Sequence, residues 1–335
     1  MKNIIYPILL FSLFILSCDM ETVIDLDIPS HEPVLVLNGI LETDTNVKVV
    51  VSHSVGAFSN SMPTFINDAN VLLYKNNELT GIPLLPDLSN LVYVNYIDKG
   101  NVDSLAMYYY KSDYIPEKDE NYRIEVNHSS YPSVSAETYI PNDITLYNID
   151  IDTTSNKEKI GFTFSFDDNA SQQNYYRLKL FSSCTKIFEN EYGDDEELNF
   201  RGATNFMSND PSFPSEIGWS LVDGYTFEGN YVVFTDALFN GQQKTITLDI
   251  FSGKIVGYET DDGTNFVEYA DCDTIIIQFS TFSDDTYSYY NSLGDHSEKG
   301  ELNIFGGEVI PVYTNVENGL GVLISTNAQQ IYLKP

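Results

Sequence analysis

Short runs in which apolar and polar residues alternate, each rich in β-branched or aromatic side chains, recur along most of the chain. Such a run can bury one face only as a strand, because successive side chains of a strand point to opposite sides. The first series comprises VLVLNGIL (34–41), VKVVVSHSV (47–55), ANVLLYKN (69–76) and NLVYVNYI (90–97). It continues with AMYYYKSD (106–113), NYRIEVNH (121–128) and SVSAETYI (133–140). Turn formers separate the runs, as in YKNNELTG after the third and IPEKDEN before the sixth. Seven such runs in about 110 residues, with no helical periodicity, predict a β-sandwich.

Pro141 and Asn142 punctuate the chain and place a domain boundary there, giving an N-terminal β-domain over 34–141 and a C-terminal β-rich domain over 142–335. The second series is ITLYNIDI (144–151), KIGFTFSF (159–166), NYYRLKLF (174–181), NYVVFTDA (230–237), KTITLDIF (244–251) and TIIIQFST (274–281). Asn240-Gly241 predicts a hairpin with a type I′ turn. Residues 190–229 have weak periodicity and many turn formers, as expected of a long excursion or a functional loop. One stretch reads as helix, SDDTYSYYNSLG (283–294). Ser283 or Asp284 would cap it, Gly294 would end it, and Tyr287, Tyr290 and Leu293 would share a face. The tail reads as a last hairpin around Asn327. The expected class is mainly β, with two β-sandwich-like domains and one short helix near the C-terminus.

The first residues carry a different signal. Lys2 is followed by an almost wholly apolar run from Ile4 to Leu16. That run falls short of the roughly 20 residues a membrane-crossing helix needs. It matches the charged and apolar regions of a secretory signal. It ends Leu16-Ser17-Cys18, which resembles the lipobox of bacterial lipoproteins, although Leu16 is bulkier than the usual residue there. The resemblance implies a signal peptide over 1–17, acylation of Cys18 as the new N-terminus, and a lipid anchor and tether over 18–33. Two or three acyl chains on one residue give stable anchoring, whereas one chain is marginal.

Composition narrows the partners. Seventeen Lys and Arg stand against 49 Asp and Glu, a formal net charge of −32. Such a surface repels nucleic acid and anionic lipid, and no basic cluster offsets it. It favours cationic ligands or divalent metals, or is simply a solvated acidic exterior. With Cys18 lipidated, Cys184 and Cys272 are left either to form one disulfide or to remain two buried thiols.

Catalytic signatures are missing from the sequence. His31, His53, His128 and His296 are widely separated, and none sits in a zinc-binding spacing. There is no G-x-S-x-G elbow and no phosphate-cradling glycine loop. The chain is expected not to be an enzyme and to need no cofactor. The one metal candidate is TDDGTNFVEYADCD (260–273), where Asp261, Asp262, Asn265, Glu268, Asp271 and Asp273 surround Gly263 as hard oxygen donors suited to calcium. YGDDEELN (192–199) and FDDNAS (166–171) are poorer sets, and none follows the EF-hand pattern. For ligand contact, the tyrosine cluster Tyr108-Tyr109-Tyr110 and the single tryptophan, Trp219, are the aromatic candidates. Alternate tyrosines can equally cover the face of a sheet.

Several segments together resemble the Bacteroidota lipoproteins that carry domain of unknown function 4249. They are VIDLDIP after Cys18, LVLNG (35–39), INDANVLLYKN (66–76), YPSVSAETYIP (131–141), FDDNASQQNYYRL (166–178), FTDALFNGQ (234–242) and, most distinctively, VYTNVENGLGVL (312–323). Where relatives follow ENGLG with an aromatic-Gly pair, this chain has Val322-Leu323-Ile324. The resemblance implies an immunoglobulin-like N-terminal domain and an outer-membrane, lipid-anchored protein that faces the cell exterior. It also implies partnership with a TonB-dependent outer-membrane transporter, and it supplies no catalytic residues. Asp19 and Glu21, close behind the lipid cysteine, resemble the acidic export signal of surface lipoproteins in that phylum. The function expected on this basis is a non-catalytic binding or accessory subunit for nutrient uptake. The alternative is an adhesin or glycan-binding protein that works without a transporter.

Overall fold

Alternation in the sequence becomes alternation in burial. Along Leu35–Glu42 (β1), Leu35, Leu37 and Leu41 are buried while Asn38 and Ile40 face outward. This holds in a computed structural model that describes residues 31–334, except 57–61, 63, 77, 99–100, 154–158, 190–192, 194, 215–226, 252–254, 260–264, 270 and 300–310. The first half continues with β2 (Lys48–His53), β3 (Asn70–Lys75), β4 (Ile82–Pro86), β5 (Val92–Asp98) and β6 (Asn101–Met107). It ends with β7 (Tyr110–Lys111), β8 (Glu120–His128) and β9 (Tyr131–Ile140). The second half holds β10 (Tyr147–Asp152), β11 (Lys159–Asp167), β12 (Tyr175–Glu189), β13 (Asp195–Ala203), β14 (Phe206–Ser208) and β15 (Phe227–Gly229). Then come β16 (Tyr231–Thr235), β17 (Gln243–Phe251), β18 (Ile255–Glu259), β19 (Asn265–Tyr269) and β20 (Asp271–Phe282). A helix, α1 (Asp284–Lys299), precedes β21 (Val316–Glu317) and β22 (Leu320–Leu333). The protein is mainly β with one helix near its C-terminus.

One sheet of thirteen strands runs through both halves in the order β13-β12-β20-β22-β1-β2-β7-β4-β3-β8-β9-β21, with β16 also paired to β12. In the first half it curls so that β9 packs against β1 and β22. The enclosed core contains Leu35, Leu37, Val49, Leu73, Tyr110, Tyr122 and Ile124. In the second half a separate five-stranded sheet, β10-β11-β17-β14-β15, faces the β12–β20 region. The core between them is aromatic: Phe166 meets Tyr176 at 5.2 Å and Phe279 at 5.1 Å between ring centroids. Both halves are thus sandwich-like. The β5–β6 hairpin forms a two-stranded sheet of its own, with Tyr93 and Val94 exposed.

The last strand belongs to both cores. Leu323 packs in the first and Leu333 in the second. Its first half runs parallel to β1, with Leu37 opposite Gly321 and Gly39 opposite Leu323. Its second half runs antiparallel to β20. The ENGLG segment makes the parallel approach feasible. Gly321 has φ +102°, and a Cβ there would sit 2.1 Å from the Leu37 carbonyl oxygen. Asn315 braces the turn, its Nδ2 donating to the Glu137 and Leu323 carbonyls, both at 2.8 Å, while its Oδ1 accepts from the Leu323 N–H at 2.9 Å.

Four local expectations are corrected. Asn327 is not at a hairpin: β22 runs unbroken through it, and its side chain is buried. Its Nδ2 donates to the Pro141 carbonyl (3.0 Å) and to Asp143 Oδ1 (2.9 Å), while its Oδ1 accepts from Thr43 Oγ1 (3.1 Å). A turn-forming residue here serves as a buried hydrogen-bonding post. Helix α1 does not stop at Gly294 but passes through it to Lys299. Asn240-Gly241 is a turn but not a hairpin. Only Gly241 has positive φ (+70°), and the flanking strands β16 and β17 pair in different sheets. Residues 190–229, read as a long excursion or a functional loop, contain β13, β14 and β15.

The helix start is as its sequence reads. Ser283 Oγ accepts from the Thr286 N–H at 3.2 Å, an N-cap, with Asp284 and Asp285 in the first turn. A buried hydroxyl network fixes this end. The Thr286 hydroxyl donates to the Ser325 carbonyl (2.7 Å) and accepts from the Ser325 N–H (2.9 Å), and Thr138 reaches both Ser283 and Ser325.

Candidate functional site

With its N-terminus tied down, α1 stands over the outward face of the β12–β16–β20 sheet. Tyr176, Leu178 and Leu180 of β12 point into the second core, so the alternate residues Arg177 and Lys179 face the helix side. Arg177 is level with Val233 and Ser280, and Lys179 with Tyr231 and Gln278. Between this face and the helix lies a cleft of about 1100 Å³. Its floor is Arg177, Lys179, Tyr231 and Val233. The helix contributes Tyr287, Tyr290, Asn291 and Leu293. Tyr287, Tyr290 and Leu293 therefore share a face, as their spacing requires. The remaining wall includes Asn205, Glu228 and Asn230.

Aromatic contacts position the side chains. Tyr287 stacks on Tyr175 at 4.4 Å, and Tyr290 meets Phe282 at 5.9 Å. The Arg177 guanidinium lies over the Phe282 ring at 5.1 Å, and the Lys179 ammonium over Phe181 at 4.8 Å. Arg177 Nε and Ser280 Oγ are buried and make no hydrogen bond among the described residues. Burial, with the nearby Asp284 charge adding to it, raises the pKa of the Tyr175 phenol.

A smaller pocket of about 330 Å³ lies at the other side of the helix start, lined by Thr138, Asp284, Asp285, Asn315 and Glu317. Tyr313 donates to Asp285 Oδ1 at 2.7 Å, yet burial dominates and raises the Asp285 pKa.

The residues singled out in the sequence lie elsewhere. Tyr108 and Tyr110 are buried in the first core and offer no surface to a ligand. Tyr110 OH accepts from the Ala69 N–H at 3.0 Å, and burial pushes the Tyr108 phenol up to about 12. Tyr109 points the other way, with the Lys48 ammonium 5.5 Å from its ring. Cys184 and Cys272 form a disulfide between β12 and β20. Cys18, Asp19, Glu21, Trp219, Asp261 and Asp262 lie outside the described residues, as do the side chains of Asn265, Glu268 and Asp271; Asp273 is exposed. Among the described residues no three His, Cys, Asp or Glu side chains are grouped so as to hold a metal ion. In FDDNAS, Asp168 holds a turn instead. It accepts from the Gly241 N–H at 2.7 Å and from the Tyr176 hydroxyl.

Sequence reasoning missed the cleft floor. The available signal was YYRLKL, where two of only 17 basic residues fall at positions of the same parity in a strand.

Fold and site together define a two-core β protein that carries an open cleft, part cationic and part aromatic, beneath its one described helix. A family model described as Domain of unknown function (DUF4249) matches residues 21–331, and the chain belongs to that family. No curated protein matches it.

Proposed function

We propose that the chain is a non-catalytic binding protein of the bacterial cell surface, anchored in the outer membrane by acyl chains on Cys18 and serving a TonB-dependent nutrient transporter as an accessory subunit. The observation that carries the binding part is the cleft beneath α1, which is large enough for a substantial molecule. The apolar run ending at Cys18 supports the anchor, and Asp19 and Glu21 support the outward orientation. The transporter partnership rests on the family resemblance, which is an association rather than a contact. Anchoring would hold the cleft at high effective concentration beside its partner, so that a weak contact becomes well occupied.

Affinity purification of the tagged full chain from detergent-solubilised outer membrane tests this reading. A TonB-dependent transporter should co-purify. If none does, under conditions that keep other such complexes intact, the accessory role is wrong. Asp19→Ala with Glu21→Ala should leave the chain facing the periplasm, and unchanged protease accessibility on whole cells would refute the export assignment.

A further inference from the structure

We infer that the cleft beneath α1 binds an acidic oligosaccharide, with Arg177 and Lys179 holding its carboxylate and Tyr231 supporting a sugar ring. This rests on the binding reading above but not on the membrane anchor or the transporter.

Charge is the first observation. In a chain of net charge −32 several described cations sit in ion pairs: Lys75 with Glu117 and Glu120, Lys111 with Asp87, Lys118 with Asp143, Arg123 with Glu125, and Lys244 with Asp210. Arg177 and Lys179 have no carboxylate within ion-pair distance among the described residues, although Glu228 lines the same cleft. Two neighbouring positive charges left unpaired on an acidic protein make a local attractor for an anion.

Hydrogen bonding is the second. Among the described residues Arg177 Nε, a buried donor, has no partner, and neither has the Ser280 hydroxyl directly opposite it, on a fully buried residue. Buried polar groups are normally satisfied, and each exception calls for a cause. The terminal nitrogens of Arg177 are not buried in this way, and a ligand carboxylate in the cleft would accept from both together, in the two-pronged geometry that guanidinium favours. The Phe282 ring under the guanidinium holds it in place for that contact.

The rest of the cleft selects the carrier of the charge. Tyr231 is 57% exposed, far more than a tyrosine needed for packing, and it stands beside Lys179 in register. Its ring offers a face for the C–H side of a pyranose, while Asn205, Asn230 and Asn291 bring side-chain amides suited to sugar hydroxyls. The volume of about 1100 Å³ exceeds what one monosaccharide fills, so several linked rings are expected.

Calorimetric titration of the full chain in detergent tests the inference, with trigalacturonate, its neutral methyl ester and an acidic tripeptide as probes. Trigalacturonate should bind, with an affinity that falls as salt rises, and the ester should bind at least about tenfold more weakly. Arg177→Met and Lys179→Met should each weaken trigalacturonate by about tenfold or more while keeping the thermal midpoint. Tyr231→Ala, a surface change, should weaken both saccharides. Arg201→Gln, exposed and outside the cleft, should change nothing. Equal affinity for acid and ester, no saccharide binding, or binding of the peptide alone would overturn the inference. Co-purification of a transporter by a chain that ignores trigalacturonate would sink the ligand class and leave the accessory role standing; the reverse result would do the opposite.

Discussion

Asn327 is expected to matter more than any surface residue of its size. Its buried side chain holds Pro141 and Asp143, at the start of the crossing between the halves, and Thr43, in the turn after β1, to the middle of β22. Asn327→Ala removes three hydrogen bonds, each worth about 1 kcal/mol net. It also takes a partner from the buried Pro141 carbonyl, at about 1 kcal/mol more, while Asp143 keeps Lys118. The expected loss is about 3–4 kcal/mol. Urea denaturation of the full chain, followed by circular dichroism, measures it as a lower midpoint at unchanged slope. Asn327→Asp discriminates further. It keeps an acceptor for Thr43 but sets a carboxylate against Asp143 and the Pro141 carbonyl, so it should be at least as damaging as Ala. A loss below about 0.5 kcal/mol for Ala, or rescue by Asp, would show that the junction does not depend on this side chain.

The Cys184–Cys272 bridge closes a span of 88 residues, for which chain entropy gives about 4–5 kcal/mol. Denaturation of Cys184→Ala/Cys272→Ala should show most of that loss, and an unchanged midpoint would remove the bridge from the stability account. Asp285 has its pKa raised by burial, so its contribution to stability is full below the unfolded-state pKa and is lost as pH rises through the folded value. Asp285→Asn should therefore be more stable than the parent near pH 7 and no better near pH 3, read from unfolding free energies across about that range; a constant difference would contradict the assignment. Gly321→Ala places a methyl group against the Leu37 carbonyl at a φ that disfavours side chains. It should cost more than about 2 kcal/mol or prevent folding, as seen in soluble yield and thermal midpoint.

Alternation revealed the strands that bury one face, because there the sequence records the fold directly: LVLNGIL and KIGFTFSF lie where the pattern puts them. It missed β4, whose IPLLP carries two prolines, and β13, whose DEELNFRGA is mostly exposed on both faces and so has no face to record. Asn327 looked like a turn residue because its polar side chain is satisfied by partners about 185 positions away or more, which a local reading cannot see. The same limit hid the cleft. The helix face of Tyr287, Tyr290 and Leu293 was visible from spacing, but its opposite wall comes from β12 and β16, which reach it only through sheet pairing. The tyrosine triplet misled for the converse reason, since its first and third rings are the ones that alternation drives inward. ENGLG, the segment that weighed most in the family resemblance, is a backbone requirement of the β1–β22 approach.

That approach also sets an order of events during biosynthesis. Leu37 and Gly321 are partners, so the first core waits for almost the entire chain to be made before its sheet can close. Contacts this distant in sequence form late and slowly. A chain stalled anywhere before β22 would expose the unpaired edge of β1 and the leucines behind it, a surface on which other chains can add strands. Premature termination near the end should thus be as harmful to the beginning of the protein as to its tail, and a helper that shields β1 during synthesis would act on residues the finished molecule hides.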